Sequence, residues 1–270
     1  MSNFTDSIYK IKSIDTLGKK DTVIHRINPL SKLIVTIIYI LTILSFNKYS
    51  VINILPLILY QIVIICLGDV PFSLIIKLTL VGIPFIFGIG IFNVIFDKTI
   101  FFRLGKLIIT AGLISFISII IKGILTITSG VLLICTTCIE DLAKSLRRIG
   151  IPKIFVSQIL FTYRYIYVLI ENAEQIYNAY MLRAPKQKGV NFRIWGSLLG
   201  QLLLRSFDRA QRIYNAMSIR GFDGEFHTDN ARKFKMKDFI YILLWSIFFI
   251  LSCKVNIPLF IGGIIMKGMI

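Results

Sequence analysis

The sequence predicts an all-α integral membrane protein with about five transmembrane helices and a set of amphipathic helices on the cytoplasmic side. Three observations predict it. Hydrophobic residues make up 56% of the 270-residue chain and charged residues 17%, whereas a soluble domain carries about 45–50% and about 25%. The apolar excess is gathered into runs near the roughly 20 residues needed to cross a bilayer's hydrocarbon. The net charge of +17 is also unevenly placed, with 17 Lys and Arg against 9 acids between Glu140 and Asp238. Lys and Arg concentrated in one polar segment mark a cytoplasmic loop. No basic tail or RNA-binding signature accompanies the charge, so nucleic acid is not expected as a partner.

Residues 1–32 read as a cytoplasmic N-terminal segment. They carry Lys10, Lys12, Lys19, Lys20 and Arg26 and lack the apolar stretch of a secretory signal. Residues 33–138 read as four transmembrane helices. Leu33 to Phe46, extended by Leu30, is the first span, and Val51 to Leu67 is the second, ended by Gly68-Asp69-Val70-Pro71. Leu74 to Phe96 is the third. Its Gly82, Pro84, Gly88 and Gly90 predict a kinked or broken helix, tolerated where neighbours satisfy the freed backbone. Asp97 to Lys106 is a polar connection. Leu107 to Cys138, interrupted by Lys122-Gly123, is expected to form one long helix. Residues 238–270 hold a C-terminal transmembrane segment built from Phe239 to Ser252 and Ile257 to Met266, as one span or a hairpin.

Residues 139–237 form the cytoplasmic domain. Gln158 and Arg164 interrupt the apolar run from Ile154 to Ile170, and a central charge is costly in lipid. Ile166, Leu169, Ile170, Ala173, Ile176 and Tyr180 recur at helical spacing, with Glu171, Glu174 and Asn178 on other faces. This is an amphipathic helix, suited to the membrane face or to other helices. A second runs from about Trp195 to Arg220, and its Gly196 and Gly200 have small-xxx-small spacing, which either lets another helix approach or is incidental.

The two helices end alike. Residues 176–184 read Ile-Tyr-Asn-Ala-Tyr-Met-Leu-Arg-Ala, and residues 213–221 read Ile-Tyr-Asn-Ala-Met-Ser-Ile-Arg-Gly. Helix capping accounts for an Arg in the last turn and for Gly221 just past it. It leaves the repeated Ile-Tyr-Asn-Ala unexplained. Two like tips suit a protein that engages two like partners.

Several further stretches carry a resemblance. They are His25-Arg26-Ile27-Asn28-Pro29-Leu30-Ser31-Lys32-Leu33, Leu146-Arg147-Arg148-Ile149-Gly150-Ile151-Pro152, Thr162-Tyr163-Arg164-Tyr165-Ile166, Leu204-Arg205-Ser206-Phe207-Asp208-Arg209-Ala210 and Arg220-Gly221-Phe222-Asp223-Gly224. Together with the paired tips they resemble the transmembrane T component of energy-coupling factor (ECF) transporters, in its CbiQ-like branch for cobalt or nickel. The resemblance implies a non-catalytic coupling subunit in the cell membrane. It implies as partners two ABC-type ATPase subunits, a substrate-binding membrane subunit (a CbiM-like S component) and the lipid bilayer. The family's two Ala-Arg-Gly-type signatures, whose arginines dock on the ATPases, fall on Leu182-Arg183-Ala184 and Ile219-Arg220-Gly221. At the first tip Ala184-Pro185 replaces the usual glycine. A shared T component serving vitamin-binding subunits is the near alternative; a membrane-embedded enzyme and a basic membrane scaffold belong to other classes.

No G-x-x-x-x-G-K-[ST] loop occurs, so ATP is expected on partner subunits and no cofactor on this chain. Cys135-x-x-Cys138 lies in an apolar run without a second pair, and His25 and His227 are far apart in sequence. No metal site or catalytic residue is expected. Lys77 and Lys122 read as isolated charges within spans.

Overall fold

The computed structural model describes residues 17–47, 51–96, 100–104, 107–184, 189–222, 224 and 234–254. Among them are eight α-helices: α1 (Pro29–Ser45), α2 (Ile58–Gly68), α3 (Phe72–Phe96), α4 (Ala111–Thr136), α5 (Ile139–Arg148), α6 (Lys153–Arg183), α7 (Phe192–Ile219) and α8 (Met236–Lys254). A 3₁₀ turn, Ile52–Leu57, leads into α2. The described residues fall into two compact units, 17–138 with 234–254, and 139–224. Helices α3, α4, α6 and α8 are long and apolar enough to cross a membrane, while α1 and the stretch Ile52–Gly68 are shorter. Helix α6 meets those limits by length and composition even though its charges make it amphipathic.

Two expectations are corrected in the first unit. The connection after α3 holds a two-stranded antiparallel hairpin, β1 (Ile100–Leu104) with β2 (Leu107–Thr110), so α4 begins at Ala111 rather than Leu107. Helix α3 runs unbroken past Pro84. Its glycines serve packing instead of a break. A Cβ on Gly90 would meet the Phe116 ring at 2.6 Å, and one on Gly123 would meet Ile86 Cδ1 at 2.7 Å. Gly82 likewise receives Ile127. Each helix of this antiparallel pair thus seats a large side chain in a gap left by the other's glycine, which brings the backbones close. Gly88 has open space around it.

The stretch from His25 to Leu33 organises one end of this unit. Asn28 caps α1, its side chain accepting from the Leu30 N–H at 3.1 Å, and Pro29 takes the first helical position, where its missing donor costs nothing. The Asn28 N–H donates to buried Asp238 Oδ1 at 2.8 Å, joining the starts of α1 and α8. Asp238 Oδ2 accepts from the Lys235 N–H at 2.8 Å. His25 is 5% exposed, and its Nδ1 lies 2.8 Å from Thr22 Oγ1. Burial, then the positive charges of Lys32 and Lys20, hold its pKa below the ordinary value, against backbone hydrogen bonds at Cys135 and Leu17 that raise it.

Helices α1, α2 and α4 carry no basic residue in their last turns. Lysines from elsewhere serve the carbonyls that these helix ends leave open. Lys20 Nζ donates to Asp69 O at 2.9 Å beyond α2, and buried Lys32 Nζ to Thr136 O at 2.6 Å at the end of α4. Lys122 Nζ donates to Phe46 O at 2.5 Å, at the end of α1. The negative end of a helix dipole favours a cation there, and an unsatisfied carbonyl is costly where water is scarce. Lys122 is therefore a cap rather than an isolated charge. Beneath these caps, Tyr39 of α1, Tyr60 of α2 and Trp245 and Phe249 of α8 form an aromatic core, with Tyr60 4.7 Å from both Tyr39 and Trp245.

Candidate functional site

In the second unit, α5 ends in a Schellman turn. Gly150 sits at φ +107°, its N–H donates to Arg147 O, and the Ile151 N–H donates to Leu146 O. Pro152 then opens α6, so Leu146 to Pro152 is a corner between two helices. Helix α6 is 31 residues long, α7 is 28, and they pack on one another.

The C-terminal end of α7 returns to the beginning of α6. Phe222 packs against Phe161 at 6.1 Å, and Ser157 Oγ donates to Gly224 O at 2.7 Å. The Phe222-Asp223-Gly224 run is the sequence signal for this closure; its packing partners on α6 were not legible. Arg220 is therefore placed beside residues 157–161, and Arg183 ends the same helix 22 residues after Phe161. At 1.5 Å per residue, the two tips stand about 33 Å apart along α6. They cannot converge on one small ligand. Their spacing suits two separate contacts.

The tips are capped differently. Arg220 is the C-cap residue of a second Schellman turn, in which Gly221 at φ +74° donates to Ser218 O and the Phe222 N–H donates to Met217 O. Only a residue tolerant of positive φ fits there. Arg183 is the last residue of α6, and Ala184 follows at φ −128°, ψ 61°, its N–H donating to Tyr180 O. The missing glycine thus removes the left-handed cap at the first tip; Pro185 lies outside the described residues. Leu182 and Ile219, which precede the two arginines, are 83% and 87% exposed. Neither the Arg183 nor the Arg220 guanidinium makes a hydrogen bond or ion pair with another described residue.

Between the tips, α6 and α7 enclose an open cleft of about 340 Å³, lined by Phe161, Tyr165 and Leu169 of α6 and Ile213, Tyr214 and Met217 of α7, among others. Arg209 is the charged residue of its lining. Gly196 and Gly200 lie outside this contact, with nothing within 4 Å of a Cβ built at either. Among the described residues no group of three or more His, Cys, Asp or Glu is gathered as a metal site, and His227 lies outside them.

The family model for CbiQ, a cobalt transport protein, matches residues 20–230. The chain belongs to the CbiQ cobalt transport protein family. Among its relatives, the energy-coupling factor transporter transmembrane protein EcfT of Streptococcus equi is 29% identical over 254 residues, 83% of this chain and 89% of that protein. EcfT of Leuconostoc gelidum is 27% identical over 223 residues, 74% of this chain and 79% of its own length. The nickel permease LarQ of Lactiplantibacillus plantarum is 26% identical over 117 residues, 42% and 43% of the two chains. With its four membrane-length helices, this CbiQ-family chain is a multi-pass membrane component of a transport system.

Proposed function

We propose that this CbiQ-family chain is the coupling subunit of an ECF-type importer. Arg183 and Arg220 each dock on one of two cytoplasmic ATPase subunits, and α6 and α7 carry the ATPases' closure to a substrate-binding membrane subunit. The chain itself binds no nucleotide and catalyses no reaction. The carrying observation is the repeated tip, Ile176 to Arg183 and Ile213 to Arg220, held at two ends of one packed helix pair with both arginines uncommitted within the described residues. A guanidinium suits this docking because its fork bonds carboxylates or carbonyls in a fixed geometry.

Motion of one tip relative to the other shifts the α6–α7 pair between two arrangements, and the substrate subunit binds one of them better. The N-terminus and residues 139–237 lie in the cytoplasm on this reading. Cobalt or nickel is the proposed cargo, supported by the family match and by LarQ; the EcfT likeness supports a T component shared among vitamin-binding subunits as the second reading. Co-purification with the neighbouring transport subunits tests it. Arg220→Glu is expected to lose ATPase recruitment in detergent while still inserting in the membrane. Wild-type recruitment and transport by the Arg183→Glu, Arg220→Glu double variant would refute the docking role.

A further inference from the structure

The corner between α5 and α6 presents three large apolar side chains. Ile149 is 50%, Ile154 68% and Phe155 59% exposed, while the following Val156 and Ser157 turn inward. Three cations flank them in sequence: Arg147, Arg148 and Lys153. The acids of α5, Glu140 and Asp141, sit in its first turn, where Asp141 pairs with Lys144 at 3.9 Å. Exposed apolar side chains flanked by Lys and Arg are the composition of an element that lies in a membrane interface and prefers anionic lipid. The chain path supports that placement. Helix α5 starts three residues after Thr136, the last residue of the membrane-length helix α4, and spans ten residues, about 15 Å of helix.

We propose that residues 147–155 form an interfacial anchor, with Ile149, Ile154 and Phe155 inserted among lipid chains and Arg147, Arg148 and Lys153 at anionic headgroups. The Schellman turn at Gly150 makes this possible, because it turns the chain between α5 and α6, which pack on one another. The anchor fixes the first end of α6 to the bilayer surface.

The test uses the full chain in lipid nanodiscs without partner subunits. Nitroxides replace Ile154 and Phe155 in a background lacking the native cysteines, with Glu171 labelled as a water-exposed reference. In phosphatidylglycerol-containing discs, oxygen is expected to reach positions 154 and 155 and a water-soluble nickel chelate to be excluded, with the opposite pattern at 171. Exclusion of the chelate is expected to fall at least about threefold in phosphatidylcholine discs or with Arg148→Glu and Lys153→Glu. Free access of the chelate in both lipids overturns the anchor, as does shielding that appears only once partner subunits are added. Equal shielding in both lipids overturns the anionic-headgroup role.

Discussion

The Asn28 N–H and Asp238 Oδ1 meet at 2.8 Å across 210 residues of sequence, and this one carboxylate serves the starts of two helices. Its other oxygen takes the Lys235 N–H, at the turn that opens α8. Asp238→Ala strands both donors in a mostly buried site. Loss of about 2–4 kcal/mol is expected, since charged hydrogen bonds contribute about 1.5–3 kcal/mol each and an orphaned buried donor costs more than the bond alone. Asp238→Asn keeps one acceptor and falls between. Thermal unfolding in detergent measures both.

His25 makes the same end of the unit sensitive to acid. Its folded pKa lies below the ordinary value of 6.5, chiefly through burial and secondly through Lys32. Below pH 6.5 the unfolded chain therefore binds the proton more readily than the folded one, and stability falls as pH drops through that range. Above it the contribution is fully present. Tm is expected to decline from pH 7 toward pH 5.5, and His25→Gln to flatten that slope. An unchanged slope in the variant would assign the decline to other groups.

The α3–α4 contact separates one glycine from another. Gly123→Ala drives a methyl into Ile86, and about 1–3 kcal/mol of overpacking is expected. Gly88→Ala meets open space and gains helix propensity, so it is expected to be neutral or stabilising by up to about 1 kcal/mol. Unfolding midpoints of the pair decide it.

These glycines also show where sequence reasoning stopped. Gly82, Gly88, Gly90 and Pro84 predicted a kinked or broken helix from local propensity; α3 is continuous there, and Ile127 and Phe116 account for Gly82 and Gly90 only in three dimensions. Lys122 read as isolated because its partner, the Phe46 carbonyl, has no side-chain signature. A signal was present nonetheless. Ser115, Ser118, Lys122, Leu125, Ser129, Leu132 and Thr136 recur at alternating spacings of three and four. All but Lys122 are buried, so this seam of α4 faces inward. The helices themselves were legible from apolar runs, and the two tips from their repeat. Their separation along α6 was not, because it depends on Phe222 returning to Phe161.

The reciprocal caps yield a further expectation. Lys32 and Lys122 lie 14 residues before Phe46 and Thr136 respectively, so each lysine reaches across to the other's helix end. Lys32→Met and Lys122→Met are each expected to destabilise the detergent-solubilised chain by about 1–3 kcal/mol, the cost of an orphaned carbonyl. Arginine at either position should recover part of it by reaching the same oxygen. Full stability of both methionine variants in unfolding measurements would show that the carbonyls find other partners.

The coupling account rests on relative motion of the two tips. Ala179 and Ala216 occupy matching repeat positions, and both are exposed, so spin labels there report the distance between the ends of α6 and α7. Pulsed electron resonance on the assembled transporter should show that distance shifting by several ångströms between nucleotide-free and ATP-bound states, and the shift vanishing in the Arg183→Glu, Arg220→Glu variant. Identical distance distributions with and without ATP, in a complex that still transports, would contradict it.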